Sequence, residues 1–316
     1  MIKGKSILSL MELDRNEILK ILDVSAKLKE KRKDGIYPKL LKDKTLVSIF
    51  MKPSTRTRIS FNEAMHELGG HCIDVTSTEL QLGRGETIED TAKVISRYCD
   101  VIAARVFSHE DVVRLSRASS VPVINSLSDM YHPCQILADL LTIREKKGKL
   151  NGIKLAYIGD GNNVCNTLII GCTQVGIDIN LACPKEYMPS NVAINFALKA
   201  VESSGSHITF YDDPQEAVKD VDVIYTDTFV SMGQESDKEK RLRIFLPKYQ
   251  VNSKLVEKAK SDFIFMHCLP AHRNQEVTDE IIDSTNSVVF DQAENRLHAQ
   301  KGLLCLLLLE ESEIKI

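Results

Sequence analysis

The sequence has no excess of either charge, no closely paired cysteines and no long apolar run. Its 41 lysines and arginines against 44 aspartates and glutamates give a formal charge of −3, so nucleic-acid binding through a basic surface is not expected. The eight cysteines include no Cys-x-x-Cys pair, which argues against a zinc site or a disulfide framework and for reduced thiols. The longest apolar run, Leu303–Leu309, is far shorter than the ~20 residues of a membrane span. With an amino terminus too polar for a signal peptide, these features predict a soluble, cytoplasmic protein.

The composition that is present is that of a folded globular protein. Hydrophobic residues make up 43% and charged residues 27% of 316 residues, which excludes a disordered or fibrous chain. That length is enough for two domains of roughly 150 residues each.

Short β-branched runs alternate with helical patterns along the whole chain, which predicts an α/β fold. The helical pattern is clearest where Phe61, Ala64, Met65 and Leu68 repeat at the spacing of one helix face. The predicted strands are 45–51, 71–76, 101–107, 122–127, 153–159, 178–183, 207–211, 221–226, 263–268 and 287–290. We therefore expect two domains with an interdomain cleft, each a parallel sheet with helices on both faces.

The charged stretch Arg144–Lys149 is the best candidate domain boundary, because a new strand follows it. We place the domains at 1–147 and 148–316. Asp14 and Glu17 form a capping-box pattern, which predicts a first helix from about residue 15. The last helix, about 296–310, is apolar nearly all round and is expected to be buried, packing back between the domains.

Ligands of parallel α/β sheets bind beyond the carboxyl ends of the strands, and the first predicted strand ends in a phosphate-like motif. Lys52–Arg58 (Lys-Pro-Ser-Thr-Arg-Thr-Arg) leads directly into a helix. Hydroxyls, two arginines and the amides of a helix amino end suit a phosphate dianion. Arg105 lies inside the third strand, where a charge is costly unless it is paired or faces a site. His132 and Gln135, three residues apart after the fourth strand, can point at one small group.

In the second half, Gly159–Asn163 follows a strand and opens a helix. The dinucleotide motif fits poorly, because Val164 stands at its third glycine position and no acidic residue follows the next strand for a ribose. Asn162 and Asn163 instead offer amides to a polar ligand. Further polar groups end later strands: Asp227 with Ser231-Met232-Gly233, His267–Arg273 and Asp291–Arg296. With no third ligand in view, His267 and His272 are interpreted as bonded or solvated histidines rather than a metal site.

Four motifs together resemble the aspartate/ornithine carbamoyltransferase family. They are Ser54-Thr55-Arg56-Thr57, His132-Pro133-Cys134-Gln135, Asp227 with Ser231-Met232-Gly233, and His267-Cys268-Leu269-Pro270. They stand in the family's order, and the resemblance covers residues from about 6 to 310. The first two are common to the aspartate and ornithine branches, whereas the last two point to ornithine. The resemblance implies carbamoyl transfer from carbamoyl phosphate to the δ-amine of L-ornithine, giving citrulline and phosphate, by a homotrimer without metal or organic cofactor.

The resemblance also implies roles for individual residues. Those matched to carbamoyl phosphate are Ser54, Thr55, Arg56, Thr57, Gln81, Arg105, His132, Gln135, Cys268, Leu269 and Arg296. Those matched to ornithine are Asn163, Asp227, Ser231 and Met232. The catalytic set among them is Arg105, His132, Asp227, Cys268 and Arg296. In the family the loop carrying Gln81 commonly reaches across a subunit boundary.

Two departures and three alternatives stay open. The family often has glutamate where this chain has Met51 and Asn62, two positions that flank the phosphate motif and bear on subunit contacts or local charge. The acceptor could be another amine, such as putrescine or N-acetylornithine. A non-catalytic metabolite-binding protein on this fold would be expected to lose Arg56, His132 or Cys268, and all three are present. A nicotinamide-dependent dehydrogenase is disfavoured by the missing acidic residue.

Overall fold

The computed structural model describes residues 2–231 and 233–316, with the backbone alone at 83, 84 and 235. It divides into two compact units. Unit 1 contains the chain up to Leu141 together with Glu294–Ile316, and unit 2 is Thr142–Ala293. None of the helices within the described ranges has both the length and the apolar character needed to cross a bilayer.

Unit 1 is built on a four-stranded parallel sheet. Its strands are β1 (Thr45–Phe50), β2 (His71–Thr76), β3 (Val101–Arg105) and β4 (Val123–Leu127), in the order β2-β1-β3-β4. Its helices are α1 (Arg15–Lys33), α2 (Thr55–Glu67), α3 (Ile88–Ile95), α4 (His109–Ala118) and the first part of α5 (Pro133–Lys147), with a 3-10 turn at Gln81–Arg84. Apolar residues of β1, β3 and β4 form a core with α3 and α4.

Unit 2 is built on a five-stranded parallel sheet. Its strands are β5 (Lys154–Ile158), β6 (Asp178–Ala182), β7 (Ile208–Phe210), β8 (Val223–Thr226) and β9 (Ile264–His267), in the order β7-β6-β5-β8-β9. Its helices are α6 (Asn163–Val175), α7 (Asn191–Ser204), α8 (Pro214–Ala217), α9 (Lys238–Phe245), α10 (Ser253–Val256) and α11 (Asp279–Ile282). The final helix, α12 (Val289–Leu308), begins in unit 2 and contributes Glu294–Leu308 to unit 1.

The predicted α/β class with two parallel sheets is confirmed, and so is the start of α1. The Asp14 carboxylate accepts from the backbone N–H of Glu17, whose side chain accepts from the Asp14 N–H. Pro133 begins α5, at a first-turn position that proline favours.

The predicted strand at 287–290 is wrong. Ser287 makes only an isolated bridge to Phe265, and helix α12 has begun by Val289. Val288 and Val289 are buried, so this short apolar run satisfies the core as a helix start just as well as a strand would. Helix α12 therefore begins seven residues before its predicted start near residue 296, and Asp291–Arg296 lie on the helix.

Candidate active site

The carboxyl end of β1 passes directly into α2, and the phosphate-like motif forms this junction. Ser54 is the N-cap residue of α2, and its hydroxyl accepts from the backbone N–H of Thr57 at 3.3 Å. Thr55 and Arg56 form the first turn of the helix, where the helix dipole and the amide groups favour an anion. The Thr57 side chain is buried.

Arg296, on α12, connects this junction to α5 within unit 1. Its guanidinium donates to the Gln135 side-chain oxygen at 2.7 Å and to the Thr57 hydroxyl at 3.1 Å. The Gln135 amide in turn donates to Asp139 at 2.8 Å. All four side chains are buried, so the arginine fork has a fixed orientation.

His132 lies buried close to three arginines. Burial lowers the pKa of His132 well below its usual value, and the positive charges of Arg296, Arg105 and Arg56 lower it further. The imidazole is therefore neutral at physiological pH. A neutral imidazole within a cationic cluster can donate a hydrogen bond to an oxygen that gains negative charge, without transferring its proton.

Arg58 does not join this cluster. Its guanidinium pairs with Asp74 of β2 at 2.7 Å and is half-exposed. Asn62, where the family often has glutamate, donates to both Asp74 oxygens at 2.9 and 3.0 Å. A glutamate here would face Asp74 with like charge, so the amide suits this local charge balance. Met51 packs against the core of unit 1.

Gln81 begins the 3-10 turn Gln81–Arg84 and is exposed, with its carbonyl accepting from Glu86. Its role toward carbamoyl phosphate stays a prediction.

In unit 2, the carboxyl ends of β5, β8 and β9 bring three predicted side chains together. Asp227 follows β8 and accepts through one oxygen from the Asn162 amide at 2.7 Å. Its other oxygen accepts from the Cys268 thiol at 3.1 Å. Asn162 also caps α6 by accepting from the N–H groups of Val164 and Cys165. A carboxylate held at both oxygens has a defined direction, as recognition of a substrate ammonium group requires.

His267 shapes the turn that presents Cys268. Its Nδ1 accepts from the backbone N–H of Leu269 at 2.9 Å, and its Nε2 lies 3.1 Å from Glu276. The Gln292 side-chain oxygen accepts from the His267 backbone N–H at 2.9 Å. The turn places Leu269 at φ +57°, a conformation that costs a branched side chain energy. Both Glu276 and Gln292 are fully buried, and Glu276 is a support that the sequence reasoning missed.

Three side chains could together offer ligand atoms to a metal ion, because one such atom from each lies within 4.8 Å of the other two: Asp227, His267 and Cys268. Both ring nitrogens of His267 already have partners in the turn. The prediction that His267 is a bonded histidine is therefore confirmed. His272 bonds the Thr228 hydroxyl at 3.0 Å and is half-exposed.

The remaining predicted ornithine residues lie nearby in sequence. Asn163 is the first residue of α6, and its side-chain oxygen accepts from the Val164 N–H at 3.0 Å. Ser231 donates through its backbone N–H to the Gln234 side chain at 3.1 Å. Met232 lies outside the described residues.

The chain matches two family models. Residues 5–145 match the carbamoyl-P binding domain of aspartate/ornithine carbamoyltransferase, and residues 151–307 match its Asp/Orn binding domain. A protein from Pyrococcus horikoshii described as ornithine carbamoyltransferase is 54% identical over 97% of this chain and 96% of its own length. A Bacillus subtilis protein of the same description is 54% identical over 95% of this chain and 93% of its own.

Solved structures agree with these matches. Ornithine carbamoyltransferase from Pyrococcus furiosus superposes with a TM-score of 0.94 at 53% identity, covering 97% of this chain and 98% of the other. The anabolic enzyme from Campylobacter jejuni gives 0.90 at 42% identity, covering 95% and 98%. With both of its halves matched by the two models in order, the chain belongs to the aspartate/ornithine carbamoyltransferase family.

Proposed function

We propose that this protein transfers the carbamoyl group of carbamoyl phosphate to the δ-amine of L-ornithine, giving L-citrulline and phosphate. The observation that carries the proposal is the Asp227–Cys268 pair of unit 2, supported by Asn162, in a chain whose unit 1 carries the arginine cluster around His132. The relatives described as ornithine carbamoyltransferases support the choice of acceptor.

The phosphate of carbamoyl phosphate is held at the amino end of α2. Ser54, Thr55, Arg56 and Thr57 supply the helix end, its hydroxyls and one guanidinium, and Arg105 adds a second positive charge. These groups stabilise phosphate as it leaves with growing negative charge. Gln81 is assigned to the same ligand by the family resemblance.

The carbamoyl oxygen gains negative charge when the amine attacks. Donors for this charge are the neutral His132 together with Arg105, Thr57 and Arg296. The bonds from Arg296 to Gln135 and Thr57 hold this group of donors in place before the reaction. Because the donors need not reorganise as charge develops, this preorganisation supplies most of their stabilisation of the transition state.

Ornithine is assigned to unit 2. Asp227 pairs with its α-ammonium group, while Asn163, Ser231 and Met232 take the rest of the amino-acid head. The family resemblance assigns Cys268 and Leu269 to the ornithine side chain and the carbamoyl group. A free α-amino acid head is what this set can recognise, and putrescine and N-acetylornithine both lack one.

The reaction forms one bond from the δ-nitrogen to the carbamoyl carbon and breaks the bond from that carbon to the phosphate oxygen. The nitrogen must lose one proton to solvent before it attacks, because a free ammonium group of pKa about 10.4 is almost fully protonated at neutral pH. The second proton that it loses on forming the new bond leaves with the phosphate. The Cys268 thiol, held by Asp227, orients the amine. Positioning of the amine at the carbonyl supplies the larger share of the rate. The step needs neither a metal nor an organic cofactor.

The family resemblance further supports a homotrimer, and the eight free cysteines suit a reducing cytoplasm. Two structural or curated relatives are described as anabolic, which supports a role in arginine synthesis. Light scattering on the purified protein tests the assembly: a mass of three chains, or a multiple of three, is expected.

The acceptor is tested by measuring ureido product from carbamoyl phosphate with L-ornithine, putrescine, N-acetylornithine and L-aspartate in parallel. Turnover with ornithine alone is expected. Turnover with another amine would keep the assignment of unit 1 and contradict the roles given to Asp227, Ser231 and Cys268. Binding of carbamoyl phosphate without turnover of any amine would favour the metabolite-binding alternative.

A further inference from the structure

Arg241 is a buried cation that the reaction described above does not use. It lies on α9, within the charged run Lys238–Arg243, and its side chain is only 7% exposed. Its neighbour Arg243, by contrast, is 81% exposed. A buried guanidinium is costly unless its charge is paired and its donors are hydrogen-bonded.

The guanidinium of Arg241 binds two separate segments of unit 2. Its Nε donates to the carbonyl oxygen of Phe229 at 2.5 Å, and Nη2 donates to the carboxylate of Asp160. The planar group also stacks over Tyr187, 4.3 Å from the ring centroid, with Phe245 at 5.6 Å.

Both segments lead directly to groups assigned to ornithine. Asp160 is two residues before Asn162, which donates to Asp227 at 2.7 Å. Phe229 stands midway between Asp227 and Ser231 along the chain. Arg241 thus connects the segment after β5 to the segment after β8, the two segments that supply the Asn162–Asp227 hydrogen bond.

The surroundings leave the segment after β5 little room to relax. Gly161 donates to the carbonyl of Tyr187 at 2.8 Å, and a Cβ at this glycine would lie 2.3 Å from the nitrogen of Pro189. The Asp160 carbonyl accepts from the Tyr157 hydroxyl at 2.7 Å. Burial and the nearby charge of Asp227 raise the pKa of Asp160 to about 7, whereas the charge and hydrogen bond of Arg241 lower it.

We infer that Arg241 is a positioning residue for the amino-acid substrate: by binding Phe229 and Asp160 together, it fixes Asp227 and Ser231 relative to Asn162. Only a guanidinium presents donors in a planar fork that can serve both acceptors while stacking on an aromatic ring. The inference rests on the proposed function, because it names ornithine as the substrate of these loops.

The test compares Arg241→Gln and Arg241→Lys with the matched control Arg243→Gln from the same helix. Loss of one hydrogen bond to a charged group changes a binding constant about tenfold or more. We therefore expect the KM for ornithine to rise about tenfold or more in Arg241→Gln, with the KM for carbamoyl phosphate within about twofold. Arg241→Lys should recover part of the loss, and Arg243→Gln should match wild type. An equal rise in both KM values, or no difference from Arg243→Gln, would overturn the inference.

Hydrogen exchange measured on the same proteins separates this inference from the proposed function. Amides of residues 159–163 and 227–231 should exchange faster in the Arg241 variants than in Arg243→Gln, while the β1–α2 junction stays unchanged. If wild type does not turn over ornithine, the proposed function fails, and faster exchange confined to these segments still supports the positioning role. Unchanged exchange would overturn it. If Arg241→Gln does not fold, Arg241→Lys, which keeps the charge, is the variant measured.

Discussion

Replacing Arg296 with lysine keeps a positive charge but removes the fork that holds the unit 1 site together. Arg296 donates from two nitrogens, to Gln135 at 2.7 Å and to Thr57 at 3.1 Å. A single ammonium group on a shorter, more flexible stem cannot occupy both positions. At least one charge-assisted bond is therefore lost, which is worth about 1.5–3 kcal/mol.

That energy corresponds to a factor of roughly 10 to 150. Removing a donor that faces a developing oxyanion lowers kcat by about 10²–10³. We expect Arg296→Lys to reduce kcat about a hundredfold, measured as ureido product at saturating concentrations of both substrates. Arg117→Lys is the control, because Arg117 is an exposed arginine of the same unit. A folded Arg296→Lys protein, verified by thermal unfolding, with kcat within about threefold of wild type would refute the reasoning.

Three further predictions concern the thiol, the imidazole and a buried ion pair. Cys268→Ser should lower kcat with ornithine, and an unchanged maximal rate and pH profile would contradict the role of the thiol in orienting the amine. Because burial and neighbouring arginines lower the pKa of His132, its imidazole stays neutral above pH 6.5. The pH profile of kcat/KM for carbamoyl phosphate should therefore have the same shape near pH 6.5 in wild type and in His132→Gln. An ionisation near pH 6.5 that is present in wild type and lost in the variant would contradict a neutral His132. Lys301→Met should destabilise the protein by about 3 kcal/mol, since it leaves the buried Glu67 carboxylate without one partner. Urea unfolding measures this free energy. The control Lys20→Met, from an exposed pair, should change stability by at most about 1 kcal/mol. Equal effects of the two substitutions would contradict a stabilising role for the buried Lys301–Glu67 pair.

The fold was largely predictable because its local signals are strong. Asp14 and Glu17 form a capping box that needs no tertiary context, and β1 is buried from Leu46 to Phe50. The run 287–290 was misassigned because a short apolar segment has the same pattern in a buried strand and at a buried helix start. Its geometry is decided by packing against the core of unit 2, which no local pattern contains.

The candidate site was predictable where chemistry is concentrated in a motif. The motifs at Ser54–Thr57 and His132–Gln135 follow strands of one parallel sheet, and ligands bind beyond the carboxyl ends of such strands. Arg58 shows the limit of that reasoning: it lies only two residues after Arg56, a spacing that places the two side chains on different faces of the helix, and its partner is Asp74 of the neighbouring strand.

Arg241 was missed because it stands in a charged run that reads as a solvated helix face. The only sequence signal was Phe245, four residues later, which places an aromatic ring on the same face of the helix. Its partners Asp160 and Phe229 are far apart in the sequence, and their meeting follows from the order of β5 and β8 in the sheet.

The measurement that tests the central claim most directly follows ¹³C-labelled carbamoyl phosphate by NMR in the presence of L-ornithine. The carbon and phosphorus signals report both products in one tube. We expect one equivalent of ureido carbon in citrulline for each equivalent of phosphate released, with no release above background when ornithine is omitted. Phosphate release without citrulline would show hydrolysis instead of transfer, and the protein would then not be a carbamoyltransferase for ornithine.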